Sequence, residues 1–233
     1  MCRSVLIGAA ASGCGKTTFT AGLLRVLRHR GLKVQPFKCG PDYIDPLYHR
    51  QASGVASVNL DTFMASPEHV RALFDRYGRG ADVRVAEGAM GLFDGYDGAR
   101  GSAAEVATLL KLPVLLLVSA QSVAYSVAPL IYGFRYFWPE LQLAGVVFNF
   151  VASERQYDML RQACGDAGAE CFGYLSRNAQ LTVPSRHLGL TVQEQEQMER
   201  LIASAAEEIE RHVDVDRLLT TIKTQQDDDN SHS

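Results

Sequence analysis

Cysteine is scarce in this sequence and follows none of the spacings that give it a structural role. Cys2, Cys14, Cys39, Cys164 and Cys171 are odd in number and form no C-x-x-C or C-x-x-H pair, which argues against both a disulfide frame and a zinc site. Reduced thiols in a cytosol are the expectation. An excess of positive charge is missing too: 23 Lys and Arg stand against 26 Asp and Glu, for a formal charge of -3. With no local basic patch, nothing attracts a phosphate backbone, so no nucleic-acid partner is expected. Long apolar runs are absent, none reaching the roughly 18 residues of a membrane span. The opening residues also lack a charged segment followed by an apolar one. The expectation is a soluble, cytoplasmic protein without a membrane role.

What the sequence has is enough apolar residue for a large core, 47% of 233 residues, near the upper end for one α/β domain. Short β-branched or leucine-rich runs at Ser4–Ile7, Val34–Phe37, Val83–Ala86, Val114–Val118, Gly145–Phe148 and Cys171–Leu175 read as strands buried on both faces. Between them, Thr17–His29, Pro67–Tyr77, Ala103–Leu110, Val127–Phe137 and Glu154–Ala167 have helical spacing. This βα alternation predicts a doubly wound, mainly parallel sheet with helices on both faces. A Glu/Gln-rich amphipathic stretch from Leu190 to about Leu219 predicts a last helix. Residues 1–220 are expected to form one domain, and residues 221–233, rich in Asp and Gln, a disordered tail or linker. Two stretches show no periodicity, Cys39–Phe63 and the glycine-crowded Gly88–Gly101. In an open α/β sheet, long loops after strand carboxyl ends form the ligand crevice.

Residues Ala10–Thr17 read A-A-S-G-C-G-K-T between a predicted strand and a predicted helix, a P-loop with Ala in the first glycine position. Ser12, Gly13, Cys14, Gly15, Lys16, Thr17 and Thr18 are therefore the candidate ATP-binding residues. Gly13 and Gly15 let backbone N–H groups turn toward phosphate oxygens, and the helix start adds its positive dipole end. Lys16 would bridge the β- and γ-phosphates, and Thr17 would offer its hydroxyl to Mg²⁺. Ala11 stands where partitioning-type ATPases carry an additional lysine, which weighs against that group.

The strand Val83–Ala86 ends in Glu87 before Gly88, the expected position of a Walker-B-like acid that holds Mg²⁺. Lys38, Asp42 and Asp45 follow the second strand in F-K-C-G-P-D-Y-I-D-P, where a lysine and two acids could neutralise a phosphoryl group or hold substrate. Pro41 and Pro46 are expected to stiffen this segment as a loop. Asp94 and Asp97, in L-F-D-G-Y-D-G, sit in a loop able to close over a reactive intermediate. Read without further context, Asp94 and Asp97 are equally compatible with ordinary turns, whereas for Lys38, Asp42 and Asp45 an ordinary polar turn is the lesser reading. His49 and His187 show no partner in the sequence and stay outside the candidate set.

The strings F-K-C-G-P-D-Y-I-D-P-L-Y-H, N-L-D-T-F-M, V-A-E-G-A-M-G-L-F-D-G-Y-D-G and S-R-H-L-G-L occur in this order. Together they resemble the cobyrinic acid a,c-diamide synthase family, over about Arg3 to Leu219. The resemblance implies a P-loop NTPase fold similar to dethiobiotin synthetase. It also implies an ATP-dependent ligase that phosphorylates acetate carboxylates of a corrinoid, after which ammonia displaces phosphate. It further implies that Lys16 and Thr17 serve the triphosphate and Mg²⁺, that Asp45 and Glu87 complete the metal and phosphate site, and that Asp42, Tyr43, Leu47 and Asp94 face the corrinoid or its phosphorylated form. Asn149, ending G-V-V-F-N, resembles the asparagine that reads the adenine edge in the wider family. No covalent enzyme intermediate, and no catalytic role for Cys14, is expected.

Full-length members of that family continue into a glutaminase domain. Here the expectation is that this domain is absent, with three readings: it is a separate glutaminase chain, it is lost by truncation within the linker, or free ammonia is used. A homodimer, the commonest soluble assembly, would let a second subunit help close the site. Two other readings stay open: a dethiobiotin synthetase-like ligase, and a non-catalytic ATP-binding subunit.

Overall fold

In the computed structural model the described residues are 2–178, 181 and 192–222. The strands are β1 (Arg3–Ala9), β2 (Val34–Cys39), β3 (Val58–Leu60), β4 (Val83–Glu87), β5 (Val114–Ser119), β6 (Leu143–Val151) and β7 (Cys171–Ser176). They form one seven-stranded sheet in the order β3-β2-β4-β1-β5-β6-β7. All six pairings are parallel, because each crossover carries a helix or a long connection rather than a tight turn.

The helices are α1 (Lys16–His29), α2 (Asp45–Ser53), α3 (Pro67–Gly78), α4 (Ala103–Leu109), α5 (Val127–Tyr136), α6 (Glu154–Asp166) and α7 (Val192–His212). Alternating strand residues feed two cores. Val5, Ile7, Leu115 and Leu117 pack with α1 and α7, whereas Leu6, Leu116 and Phe148 pack with α3, α4, α5 and α6. The predicted doubly wound α/β sandwich is what the chain forms.

Helix starts follow local chemistry. Ser66, Ser102 and Ser153 cap α3, α4 and α6, each hydroxyl accepting from the N–H three residues on. By contrast, α1 starts on Gly15 at φ 87 with no side-chain cap and no acid in its first turn. Its first N–H groups are thus left for an anion. Against α7, α1 packs closely: a Cβ on Gly22 would stand 2.8 Å from Ala205 Cβ. Arg25, buried in this seam, meets Glu199 of α7 at 2.6 Å and the carbonyls of Gln51 and Ala52 on α2.

Two expectations need correction. Cys39–Phe63 is not a loop, since it contains α2 and β3. Pro46 sits in the first turn of α2, where its missing N–H has no helical partner to lose. A three-residue strand is too short to show a period. The last helix also does not run to Leu219. It ends at His212, where Val213 forms an antiparallel bridge with Gly173 of β7 and Asp214 N–H donates to the Phe172 carbonyl. Helical backbone resumes over 215–222. The string S-R-H-L-G-L, His187 and the tail beyond residue 222 lie outside the described residues.

Candidate nucleotide site

Sheet register builds the centre of the site. The β2–β4 ladder sets Lys38 opposite Glu87, and the β1–β4 ladder sets Ile7 opposite the same residue, so one acid and one lysine meet at the carboxyl edge beside the phosphate loop. Asp45 and His49, one turn apart on α2, share a helix face and close the group from above.

Lys38 Nζ lies 2.7 Å from Asp45 Oδ2 and 3.2 Å from Glu87 Oε1, and donates to the Gly88 carbonyl at 3.0 Å. Glu87 Oε2 is 2.7 Å from His49 Nε2, whose Nδ1 is 3.0 Å from Ser57 Oγ. Thr17 Oγ1 is 3.0 Å from Asp45 Oδ1 and 3.1 Å from Glu87 Oε1. Glu87 and His49 are fully buried, and Lys38 and Asp45 are 2% and 3% exposed.

The electrostatics follow from this burial. Desolvation alone would raise the Glu87 carboxyl, but the Lys38 ammonium and the His49 hydrogen bond outweigh it and hold the group well below the usual carboxylate range. Lys38 is likewise opposed by burial, yet Glu87 and Asp45 hold it above its ordinary value. Asp45 is pushed up, first by burial and then by Glu87. Burial also pushes Lys16 down. Its ammonium donates to the carbonyl of Met90, a residue at φ 50 in the glycine-rich segment.

These groups face a cleft of about 460 Å³. Its lining includes Ser12, Gly13, Gly15, Lys16, Thr17 and Thr18 of the phosphate loop and α1, the charged Lys38, Asp42, Asp45 and Glu87, and the apolar Phe150 and Leu181. Asp42 Oδ1 accepts from the N–H of Ile44 and of Asp45, closing the turn into α2, and its Oδ2 stands 3.9 Å from Lys38.

The other expected residues lie outside that lining. Asp94 Oδ2 accepts from Gly91 N–H at 2.8 Å, and Asp97 pairs on the surface with Arg100. Tyr43 and Leu47 are exposed apolar side chains. Buried Cys14 contributes its carbonyl, which accepts from Asn149 Nδ2 at 2.9 Å. Asn149 Oδ1 accepts from Phe150 N–H, and a Cβ on Gly15, at φ 87, would stand 2.1 Å from Asn149 Nδ2. Among the described residues, no group of three or more His, Cys, Asp or Glu has metal-holding geometry.

Two features escaped the sequence reading. His49 has two partners, one 38 positions away; its i,i+4 spacing from Asp45 was the available signal. Phe63 and Tyr96, from different loops, meet edge to face at 4.9 Å while staying largely exposed. No spacing links them. Among the described residues, no helix is long and apolar enough to cross a membrane.

Comparison with known proteins agrees with this geometry. Over 227 residues the chain is 44% identical to cobyrinate a,c-diamide synthase of Listeria monocytogenes serovar 1/2a, covering 95% of this chain and 50% of that protein. It is 46% identical over 220 residues to hydrogenobyrinate a,c-diamide synthase of Brucella ovis, covering 94% and 50%. The chain thus spans about half the length of these curated relatives. Residues 5–190 match the family described as the CobQ/CobB/MinD/ParA nucleotide binding domain. A phosphate loop, an uncapped helix start and an acid at the adjacent strand end are what such a domain requires, and the chain belongs to this family.

Proposed function

We propose that this domain catalyses ATP-dependent amidation of the a- and c-acetate carboxylates of cobyrinic or hydrogenobyrinic acid through acyl phosphates, in cobalamin biosynthesis. The observation that carries this reading is the convergence of Thr17, Lys38, Asp45 and Glu87 on the lining of a phosphate-loop cleft, in a chain whose relatives bear diamide synthase names.

The chemistry suits these groups. A carboxylate is a poor electrophile, and transfer of the γ-phosphoryl group to its oxygen, releasing ADP, creates a leaving group. Ammonia then attacks the acyl carbon, expelling inorganic phosphate. Lys16 and the loop N–H groups would hold the triphosphate, and Lys38 would keep the acids in place. Thr17, Asp45 and Glu87 offer hard oxygens that fit Mg²⁺, with water and phosphate oxygens completing its shell. When bound, Mg²⁺ would screen triphosphate charge. Asp42, Tyr43, Leu47, Asp94 and Asp97 are proposed to face the acceptor, and the exposed Phe63–Tyr96 pair offers an apolar face beside them. Ammonia would come from a glutaminase unit or free solution, in the cytoplasm, with a homodimer as one arrangement that helps close the site.

The test is incubation of purified protein with either ring acid, ATP and Mg²⁺, with ammonium chloride or glutamine in parallel, following ADP release and ring mass. Diamide formed with ammonium supports the proposal. Nucleotide binding without ADP release or mass change under either nitrogen source overturns it.

A further inference from the structure

Glu87 and Asp45 each present one oxygen to Thr17 and have the other engaged by a nitrogen. Glu87 Oε1 and Asp45 Oδ1 lie 3.1 and 3.0 Å from Thr17 Oγ1, so a single hydroxyl proton serves two carboxylate oxygens. Glu87 Oε2 is 2.7 Å from His49 Nε2, and Asp45 Oδ2 is 2.7 Å from Lys38 Nζ. Lys38 also reaches Glu87 Oε1, at the longer distance of 3.2 Å.

The histidine is held from both sides of its ring. A carboxylate only accepts, so Nε2 carries a proton and donates it to Glu87. Nδ1 is anchored 3.0 Å from Ser57 Oγ, one residue before β3, and the His49 carbonyl accepts from Ser53 Oγ at 2.7 Å. With the ring fully buried, these bonds fix its direction and, through Nε2, that of the Glu87 carboxylate. Partners of this kind, one bond removed from an ion, orient its ligands.

The arrangement bears on which ion fits. Ca²⁺ accepts a carboxylate through both oxygens at once, whereas Mg²⁺ demands near-ideal octahedral geometry. Two oxygens of one carboxylate subtend far less than the right angle of an octahedron. With Oε2 and Oδ2 engaged, Glu87 and Asp45 have one oxygen each to give. We propose that His49 is a positioning residue that restricts Glu87 to one-oxygen coordination and so makes the site prefer Mg²⁺ to Ca²⁺. The inference rests on the metal role proposed above for Thr17, Asp45 and Glu87, and not on the identity of the acceptor.

Titration calorimetry of the full chain with a non-hydrolysable ATP analogue, in saturating Mg²⁺, saturating Ca²⁺ or EDTA, tests this. The wild type is expected to bind the analogue more tightly with Mg²⁺ than with Ca²⁺. A glutamine amide reaches the place of Nε2, and an asparagine amide only that of Nδ1. His49→Gln is therefore expected to keep the preference, and His49→Asn to lower the Mg²⁺-to-Ca²⁺ affinity ratio about tenfold or more. If His49→Asn does not fold, as judged by circular dichroism, Ser57→Ala releases Nδ1 and should lower the ratio in the same direction; an unchanged ratio there overturns the proposal. A folded His49→Asn protein with the wild-type ratio also overturns it, even if both affinities fall together, since a purely structural histidine would act that way. So does a His49→Gln protein that shifts as far as His49→Asn, or a wild-type chain without ion preference. Equal wild-type affinity in EDTA would instead overturn the metal role of Thr17, Asp45 and Glu87.

Discussion

A lysine with 2% of its surface exposed is tolerated only because two carboxylates and a carbonyl surround its ammonium. Lys38→Met removes the cation and leaves Asp45 and Glu87 buried without it. Breaking a buried pair in this way costs about 3–5 kcal/mol, so a drop of that order in urea-unfolding free energy is expected. If the loss is below about 1 kcal/mol, the range of exposed pairs, the buried-triad account is wrong. Lys16 is different, because its ammonium faces the cleft and its partner is one loop carbonyl. Lys16→Ala is expected to abolish nucleotide binding while changing unfolding free energy by less than Lys38→Met does. Comparing the two variants by calorimetry and urea titration separates a binding lysine from a structural one.

At the level of elements, the seam between α1 and α7 governs how the phosphate loop is presented, because α1 begins where that loop ends. A Cβ on Gly22 would stand 2.9 Å from the Ala205 backbone as well as 2.8 Å from its side chain. Gly22→Leu therefore forces the helices apart and is expected to cost about 1–3 kcal/mol, even though leucine favours a helix by nearly 1 kcal/mol over glycine. A stabilised variant in thermal melts would sink this account. Acid sensitivity arises in the same seam. The Arg25 hydrogen bond holds Glu199 down to about 2, from an ordinary value of 4.5. With the folded-state value depressed, its stabilisation is present above 4.5 and lost as pH falls toward about 2. The melting difference between wild type and Glu199→Gln should be present at neutral pH and close over that range. If the gap is unchanged at low pH, the pairing does not stabilise the seam. How much of this was legible depended on the kind of signal. Six strands announced themselves as continuous apolar runs, and Lys38 and Glu87 were marked by their places at strand ends, with Asp45 in the segment that follows the second strand. By contrast, α2 hid behind Pro41, Asp42 and Pro46, whose turn chemistry masks a helix start. Phe150, left-handed at φ 62, left no trace in sequence, since the irregularity of β6 there arises from pairing with β7.

At the scale of the whole molecule, a ligand that binds only the folded chain should lift its melting temperature. At about 100 times its Kd, ATP with Mg²⁺ would add about 2.7 kcal/mol, a rise of about 5–10 °C for a domain of this size. Differential scanning fluorimetry should show that rise in the wild type and none in Lys16→Ala; equal rises in both would detach Lys16 from the phosphates. The bridge between Val213 and Gly173 bears on a different property. A seven-stranded parallel sheet has two open margins where a neighbouring molecule could add a strand and start a fibril. One margin, β3, is only three residues long. On the other, β7, the chain returns after α7 so closely that a Cβ on Gly173 would overlap the His212 carbonyl. The segment after α7 thus blunts the longer of the two margins, and colloidal stability at high concentration depends on the chain running past His212.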